Sequence, residues 1–184
     1  MKTNIFLLLV IVSFVSCRKT KELFDIPFNY TANNSFTLPK VADREYAVPD
    51  SSVTITTPDI TNTAPDEFKK NNANINSIKS VSIQEILLSI PTSSNQNFSF
   101  LKSVKIYLGS QGKAERLIAT KDDINTISPA PTSLSLAPEN ADIAEYIKSP
   151  TYYFKVQMVL VKTYTQDIPI QSAIKFHVVA NPLN

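Results

Sequence analysis

The chain has 184 residues, of which 43% are hydrophobic and 18% charged, so neither disorder nor a coiled coil describes it as a whole. A net charge of +2 is too balanced for an electrostatic nucleic-acid binder, and one Cys with one His excludes a disulfide framework, a Cys/His zinc cluster and a Cys–His nucleophile. Ser, Thr and Asn supply 50 residues, beside 12 Pro and only 2 Gly, which is typical of a loop-rich β domain outside the cytoplasm.

The first residues have the pattern of a signal peptide. Lys2 supplies a positive charge, and residues 5–15 form an apolar run that only Ser13 interrupts. This run is about half of the ~20 residues that a membrane-spanning helix needs, so it is typical of the apolar centre of a cleaved signal peptide. We therefore expect a signal peptide over residues 1–16.

Cys17 follows the apolar run after one small residue, Ser16. The residues Phe14-Val15-Ser16-Cys17 resemble a bacterial lipobox, with Phe at the first position where Leu is usual. The resemblance implies that Cys17 becomes the mature N-terminus and carries a diacylglycerol thioether and palmitate-type acyl chains. Two or three acyl chains, at ~0.8 kcal/mol per buried methylene, hold a protein on a membrane, whereas one chain binds only marginally. The alternative is an ordinary secreted protein cleaved near Ser16, in which the thiol has no role.

A short basic segment comes after the cysteine. We expect residues 17–22 to form a lipidated tether, with Arg18 and Lys19 at its start. Surface-exported lipoproteins of the Bacteroidota usually carry an acidic run at this place, so the basic start favours an outer-membrane lipoprotein that faces the periplasm. A solvated tether attracted to anionic headgroups accounts for the same charges.

From residue 23 onward the apolar period is mostly two, which predicts strands. The first alternation is carried by Phe24, Ile26, Phe28 and Tyr30, and it continues briefly at Phe36 and Leu38. Pro27 has no amide proton, so we expect this strand at an edge. Residues 53–56 predict a second short strand.

A helix start and a loop come next. Thr63 is the expected N-cap of a helix that has Asp66 at its third position and runs to Lys70. Phe68 is its single large apolar residue, which indicates a small turn on the surface. The Asn-rich residues 71–76 predict a loop.

The middle of the chain predicts a bulged strand and a hairpin. The apolar face between Val81 and Ile90 changes phase near Gln84-Glu85, which indicates a β-bulge. After a polar loop at residues 92–97, strict alternation resumes at Val104, Ile106 and Leu108.

Gly109 and Gly112 bracket the turn after this strand. Their spacing fits the positive φ that hairpin loops need, and residues 117–119 are expected to pair back.

The last third of the chain contains the strongest strand patterns. Leu134 and Leu136 predict a short strand, and residues 142–148 predict one or two helical turns. Two long alternations follow, with inward faces formed by Tyr152, Phe154, Val156, Met158 and Leu160 and by Ile168, Ile170, Ile174, Phe176 and Val178. Since these faces match, the two strands are expected to pair with each other as a hairpin.

Together these elements predict an all-β fold. Roughly eight short strands without a βαβ rhythm favour a single antiparallel two-sheet sandwich of immunoglobulin-like kind over residues 23–182, with one or two short helices. A chain of this length buries a sufficient core without disulfides.

The order of segments resembles a group of small lipoproteins of the Bacteroidota. The resembling residues are Phe36-Thr37-Leu38-Pro39, the stretch from Asn97 to Leu108, Ile118-Ala119, and Ile143-Ala144-Glu145-Tyr146-Ile147. The Asn-Phe-x-Phe-Leu part of that stretch also resembles the sandwich domains of late-embryogenesis-abundant, water-stress type. The resemblance implies an immunoglobulin-like β-sandwich behind a lipid anchor, and it brings no activity or catalytic residue to carry over.

Few residues are candidates for chemistry. His177 is the only histidine and is expected to be a strand residue on the face opposite Phe176, since one imidazole cannot assemble a zinc site alone. Asp122-Asp123 is the only adjacent acidic pair, and a turn or cap explains it better than a glycosidase cleft or a calcium loop. We assign no catalytic residue, cofactor or metal site.

Three tyrosines admit two interpretations. Tyr152, Tyr153 and Tyr164 could form a platform on which a sugar or a peptide stacks, or they could be core and cross-strand packing, which Tyr152 fits by its phase.

The sequence therefore predicts a membrane-anchored lipoprotein that is not an enzyme and acts as a binding, scaffold or envelope-assembly module, with an envelope protein as the expected partner. The alternative is a hydrolase or a carbohydrate-active accessory protein with a site on its loops. Binding is expected on loops at one end of the sandwich, with residues 92–97 and 110–113 as candidates.

Overall fold

The structure is a computed structural model that describes residues 24–40 and 50–181. The expected signal peptide (1–16), the expected tether (17–22) and Cys17 lie outside the described residues. In the described part, no helix is long and apolar enough to cross a membrane.

The described residues form nine strands and two short helices. They are β1 (Ile26–Leu38), β2 (Ser52–Thr56), β3 (Ile60–Thr61), α1 (Ala64–Lys70), β4 (Ile78–Ser89), β5 (Leu101–Ser110), β6 (Lys113–Lys121), β7 (Ser133–Pro138), α2 (Ala144–Ile147), β8 (Thr151–Leu160) and β9 (Ile168–Ala180). Short 3₁₀ turns lie at Ile75–Ser77, Thr92–Ser94, Phe98–Phe100 and Ile124–Thr126.

The strands form two antiparallel sheets that face each other across one core. The order in the first is β1-β9-β4-β7, and the order in the second is β6-β5-β8-β2, with β3 beside β8. β7 joins the two sheets, because Ser133–Leu136 pairs with β4 while Ala137 and Pro138 pair with β6. The prediction of an all-β antiparallel sandwich with short helices is confirmed.

Several local predictions are also confirmed. β1 is an edge strand, and it runs without interruption from Ile26 to Leu38 beside β9. The register of β4 against β9 shifts between Ile83 and Glu85, which is the expected bulge. Gly112 has φ +75°, as a hairpin turn requires.

The pairing expected for the last two strands is wrong. β8 lies between β5 and β2 in the second sheet, and β9 lies between β1 and β4 in the first. Their inward faces are as predicted, since Phe154, Val156, Phe176 and Val178 are all buried. Two strands with matching apolar faces can bury them as neighbours in one sheet or from opposite sheets that face each other across the core. The apolar pattern alone therefore does not decide which sheet a strand joins.

The helix α1 differs from expectation in two ways. Phe68 is fully buried rather than part of a surface turn, with its ring centroid 5.2 Å from that of Phe28 and 6.2 Å from that of Tyr30. Thr63 makes no capping hydrogen bond, because its backbone is already helical; the amide of Ala64 instead donates to Asn62 Oδ1 at 2.9 Å.

The glycine at the start of the hairpin has a different role from the one expected. Gly109 lies inside β5 opposite Tyr153 of β8, and a Cβ atom at this position would overlap the Tyr153 ring. Gly109 is therefore required for the close approach of an aromatic ring, and only Gly112 serves the turn.

The sandwich has two ends, which we call the near end and the far end. The near end contains the start of β1 at Ile26, the β5–β6 turn, α1 and α2. The far end contains the end of β1 at Leu38, the segment between β4 and β5, and the segment between β8 and β9. β5 connects the two ends and has ten residues, so they are about 33 Å apart.

Candidate functional site

The two loops expected to bind a ligand together lie at opposite ends. Residues 92–97 come before the 3₁₀ turn that leads into β5, at the far end, and residues 110–113 form the turn after β5, at the near end. The expectation that both belong to one binding end is wrong. A hairpin loop and the loop before its first strand are always separated by the length of that strand.

The far end contains a pocket between two loops. It has a volume of about 320 Å³, and residues 95–97 form one wall while residues 162–166 form the other. This volume is at the lower limit of the ~300–1,000 Å³ usual for small-molecule sites. The second loop was not recognised from the sequence, although its Thr165-Gln166-Asp167 segment shows the polar composition of an exposed connection.

Aromatic rings support the pocket from the core side. Phe100 and Tyr164 are both buried, and their ring centroids are 4.8 Å apart. Phe98 adds a third ring, 6.3 Å from Phe100. Since Phe98 and Phe100 lie in the 3₁₀ turn that leads into β5, this cluster fixes both loops to the end of the sandwich.

Amide and hydroxyl side chains form the opening of the pocket. Gln96 Nε2 donates to Gln166 Oε1 at 3.4 Å, which is a weak bridge between the two loops. Asn97 Oδ1 accepts from the amide of Ser99 at 3.0 Å and so holds the start of the 3₁₀ turn. Asn95 has φ +51°, which turns the chain at the mouth of the pocket.

The carbonyl of Gln96 gives the pocket a specific polar character. Gln96 Oε1 is buried and has no hydrogen-bond partner among the described residues. A buried acceptor without a partner costs about 1–3 kcal/mol, so a ligand that donates to it recovers that energy. Lys162 is the charged residue among the lining side chains, and its ammonium group donates only, so the pocket suits a polar ligand that carries both donors and acceptors.

The three tyrosines do not form one platform. Tyr152 faces the core, with its ring centroid 5.6 Å from that of Phe154, while Tyr153 faces outward over Gly109. Tyr164 is at the far end, against Phe100. The packing interpretation is right for Tyr152 and Tyr164, whose rings are buried.

The other candidate residues are part of the frame. His177 lies on the outward face of β9, where its Nδ1 is 2.9 Å from Asn29 Oδ1 of the neighbouring strand. Asp123 has φ +54° and caps the turn Ile124–Thr126, where Thr126 Oγ1 donates to its carbonyl at 2.7 Å. Among residues 24–40 and 50–181, no three His, Cys, Asp or Glu side chains come together as metal ligands.

Ion pairs concentrate at the near end. Hydrogen bonds from Lys79 (2.7 Å) and from Asn181 (2.8 Å) lower the pKa of Asp25. A hydrogen bond from Lys148 at 3.0 Å, together with the charge of Lys113, lowers the pKa of Glu145. These pairs are exposed, so they fix local geometry more than they add stability.

No family model matches the chain, and no curated protein matches it either. Among solved structures, the chain is similar to the cyanophage Pam1 capsid asymmetric unit at 7% identity and a TM-score of 0.38, over 82% of this chain and 85% of that one. It is similar to the decameric BFDV capsid protein at 10% identity and a TM-score of 0.39, over 85% and 99%. A carbohydrate-binding module of the β-sandwich superfamily is 7% identical, with a TM-score of 0.33, over 80% and 54%. No functional inference rests on these low similarities.

Proposed function

We propose that the chain is a bacterial lipoprotein, held in the outer membrane by acyl chains on Cys17 and facing the periplasm. In this proposal the β-sandwich acts as a non-enzymatic binding, scaffold or envelope-assembly module. The apolar run that ends two positions before the single cysteine of the chain supports the lipid anchor.

The relation between the two ends supports a binding role. Seven positions separate Cys17 from Phe24, so the anchor lies within about 25 Å of the near end. The pocket lies at the other end, about 33 Å further along the strands. A domain tethered in this way presents the pocket away from the bilayer, where a periplasmic partner or a polar ligand can reach it.

The anchor is tested by Cys17→Ser in the full chain. The variant is expected to remain as a longer precursor that radioactive palmitate does not label and that fractionates differently from the wild type. Ser16→Ala is the matched control and is expected to label normally, because it leaves the thiol in place. A wild-type chain that fails to label and fractionates as soluble contradicts the proposal.

The non-enzymatic part is tested separately. The purified protein is expected to turn over no member of an ester, peptide and glycan panel, and His177→Ala is expected to leave every cellular phenotype intact. Reproducible turnover that disappears with a single carboxylate substitution would instead identify the protein as a hydrolase or carbohydrate-active accessory protein.

A further inference from the structure

The outer edge of β1 is the longest free edge in the described part of the chain. β1 has 13 residues, and all of them pair with β9 in one uninterrupted register. On its other side, no described residue makes a main-chain hydrogen bond to residues 26–38. At about 3.3 Å per residue, the free edge is about 43 Å long.

β1 lacks most of the features that usually protect an edge. Its sequence contains no charged residue, its register contains no bulge, and Pro27 is its only proline, at the second position. Natural edge strands are commonly short or interrupted by lysine, proline or bulges, because unpaired backbone groups invite another strand. The opposite edge is formed by β2 and β3, which have only five and two residues, so each offers too short an edge for another strand to pair with.

We propose that the outer edge of β1 binds an extended segment of a partner protein as an added strand. Free main-chain donors and acceptors at regular spacing are matched by another extended backbone, and side chains on alternate positions then set the specificity. Along the edge, Phe36 and Ile26 are only partly buried and would pack against apolar side chains of such a segment. The outward positions Asn29, Thr31, Asn33 and Ser35 are polar and uncharged, so the added strand meets no charge repulsion.

A second copy of this chain fits the edge less well. Full antiparallel pairing of two β1 strands places Ala32 on the two-fold axis and the two Ile26 residues about 40 Å apart. If both copies were anchored by Cys17 with the sandwich upright, the anchor of one copy would have to span this distance with a reach of about 25 Å. Parallel pairing would place the apolar face of one strand beside the polar face of the other. This choice of partner rests on the proposed lipid anchor.

The experiment uses the lipidated full chain in detergent and a 13-residue synthetic peptide of alternating Thr and Val as the probe. Hydrogen exchange is expected to slow by about tenfold at alternate amides of β1 when the peptide is present, and to stay unchanged in β2. An analogue of the peptide that is N-methylated at every second residue cannot form the ladder, and it is expected to give no protection.

Two variants remove donors from β1. Neighbouring amides of an antiparallel strand point to opposite sides, so one of Thr31→Pro and Ala32→Pro removes a donor from the free edge and the other removes a bond to β9. The variant that keeps the wild-type circular dichroism spectrum is expected to lose the protection by the peptide. Thr54→Pro in β2 is the matched control and is expected to keep it.

Four results would overturn the inference. They are no protection of β1, equal protection by the N-methylated analogue, protection in β2 instead, and a β1-dependent dimer in light scattering without peptide. Palmitate labelling of Cys17 is unaffected by any of these results, so failure of this inference is distinguishable from failure of the proposed function.

Discussion

The two ends of the sandwich are formed by different types of side chain. At the near end, the buried Phe68 packs against Phe28 and Tyr30 of β1, and Asn62 donates to the carbonyls of Ile147 and Ser149 and so ties α1 to α2. At the far end, aromatic packing stops at Tyr164, and amide side chains form the surface above it. In the residues that the structure describes, buried rings and two short helices form the near end, and the pocket lies at the far end.

Under the proposed function, this difference separates the residues that stabilise the domain from those that would contact a ligand. The near end consists of buried rings and short helices that are closely packed, so a change in side-chain volume there disturbs the packing of the core. The far end uses two loops on a rigid frame, where substitutions alter surface chemistry without opening the core.

The largest effect is expected from Phe68→Ala at the near end. Loss of this fully buried ring leaves a cavity against Phe28 and Tyr30 and should lower the free energy of unfolding by about 3–5 kcal/mol. Lys69 is the exposed neighbour of Phe68. Lys69→Ala, and Gln166→Ala at the far end, should each change the free energy of unfolding by less than ~0.5 kcal/mol. Urea titrations measure all three, and a far-end variant as damaging as Phe68→Ala would remove the distinction.

A smaller effect is expected from Gly109→Ala. The new methyl group overlaps the Tyr153 ring, so the variant should lose about 1–3 kcal/mol of stability through overpacking. Adding Tyr153→Ala should recover part of that loss, because it removes the clash, whereas Gly112→Ala meets no atom and suffers only from its positive φ. A double-mutant cycle measured by thermal unfolding gives the coupling free energy between Gly109→Ala and Tyr153→Ala. If the stability losses of the two substitutions simply add, the side chain of Tyr153 does not pack against Gly109.

The smallest effect is expected at alkaline pH. Burial, together with the nearby Tyr152 and Glu67, raises the pKa of Tyr30, so the folded protein keeps this phenol neutral after the unfolded chain has begun to ionise near pH 10. The contribution of Tyr30 to stability should therefore be constant below pH 10 and fall above it, by at most ~1.4 kcal/mol per pH unit. Tyr30→Phe should show a shallower decline above pH 10 and little change at pH 7. Identical alkaline slopes for the two chains would contradict this assignment.

Much of the frame could be predicted from the sequence. The period-two pattern identified the inward faces of β8 and β9, and the phase slip at Gln84-Glu85 identified the bulge in β4. These features depend on residues close in sequence. The partner of each strand depends on the whole core, and for this reason β8 and β9 were expected to pair although they lie in different sheets.

The candidate site was only half predictable. The polar residues 92–97 marked one wall of the pocket, but its other wall comes from residues about 70 positions later, and no local pattern joins the two. Gly109 was assigned to the turn because glycine often serves positive φ, whereas its true constraint is a ring from β8. Contacts between distant segments decide both cases.

The orientation of the two ends on the membrane is the central claim of this account. The chain contains no tryptophan, and two large apolar residues are exposed in the described part of the chain, Phe24 at the near end and Ile127 at the far end. Phe24→Trp and Ile127→Trp therefore give two single-tryptophan reporters in the lipidated chain.

The most direct test is quenching of these tryptophans by brominated lipids in vesicles that carry the protein. The account predicts strong quenching for Phe24→Trp, none for Ile127→Trp, and loss of the quenching when Cys17→Ser is added. Equal quenching at both positions, or quenching of Ile127→Trp alone, would contradict it.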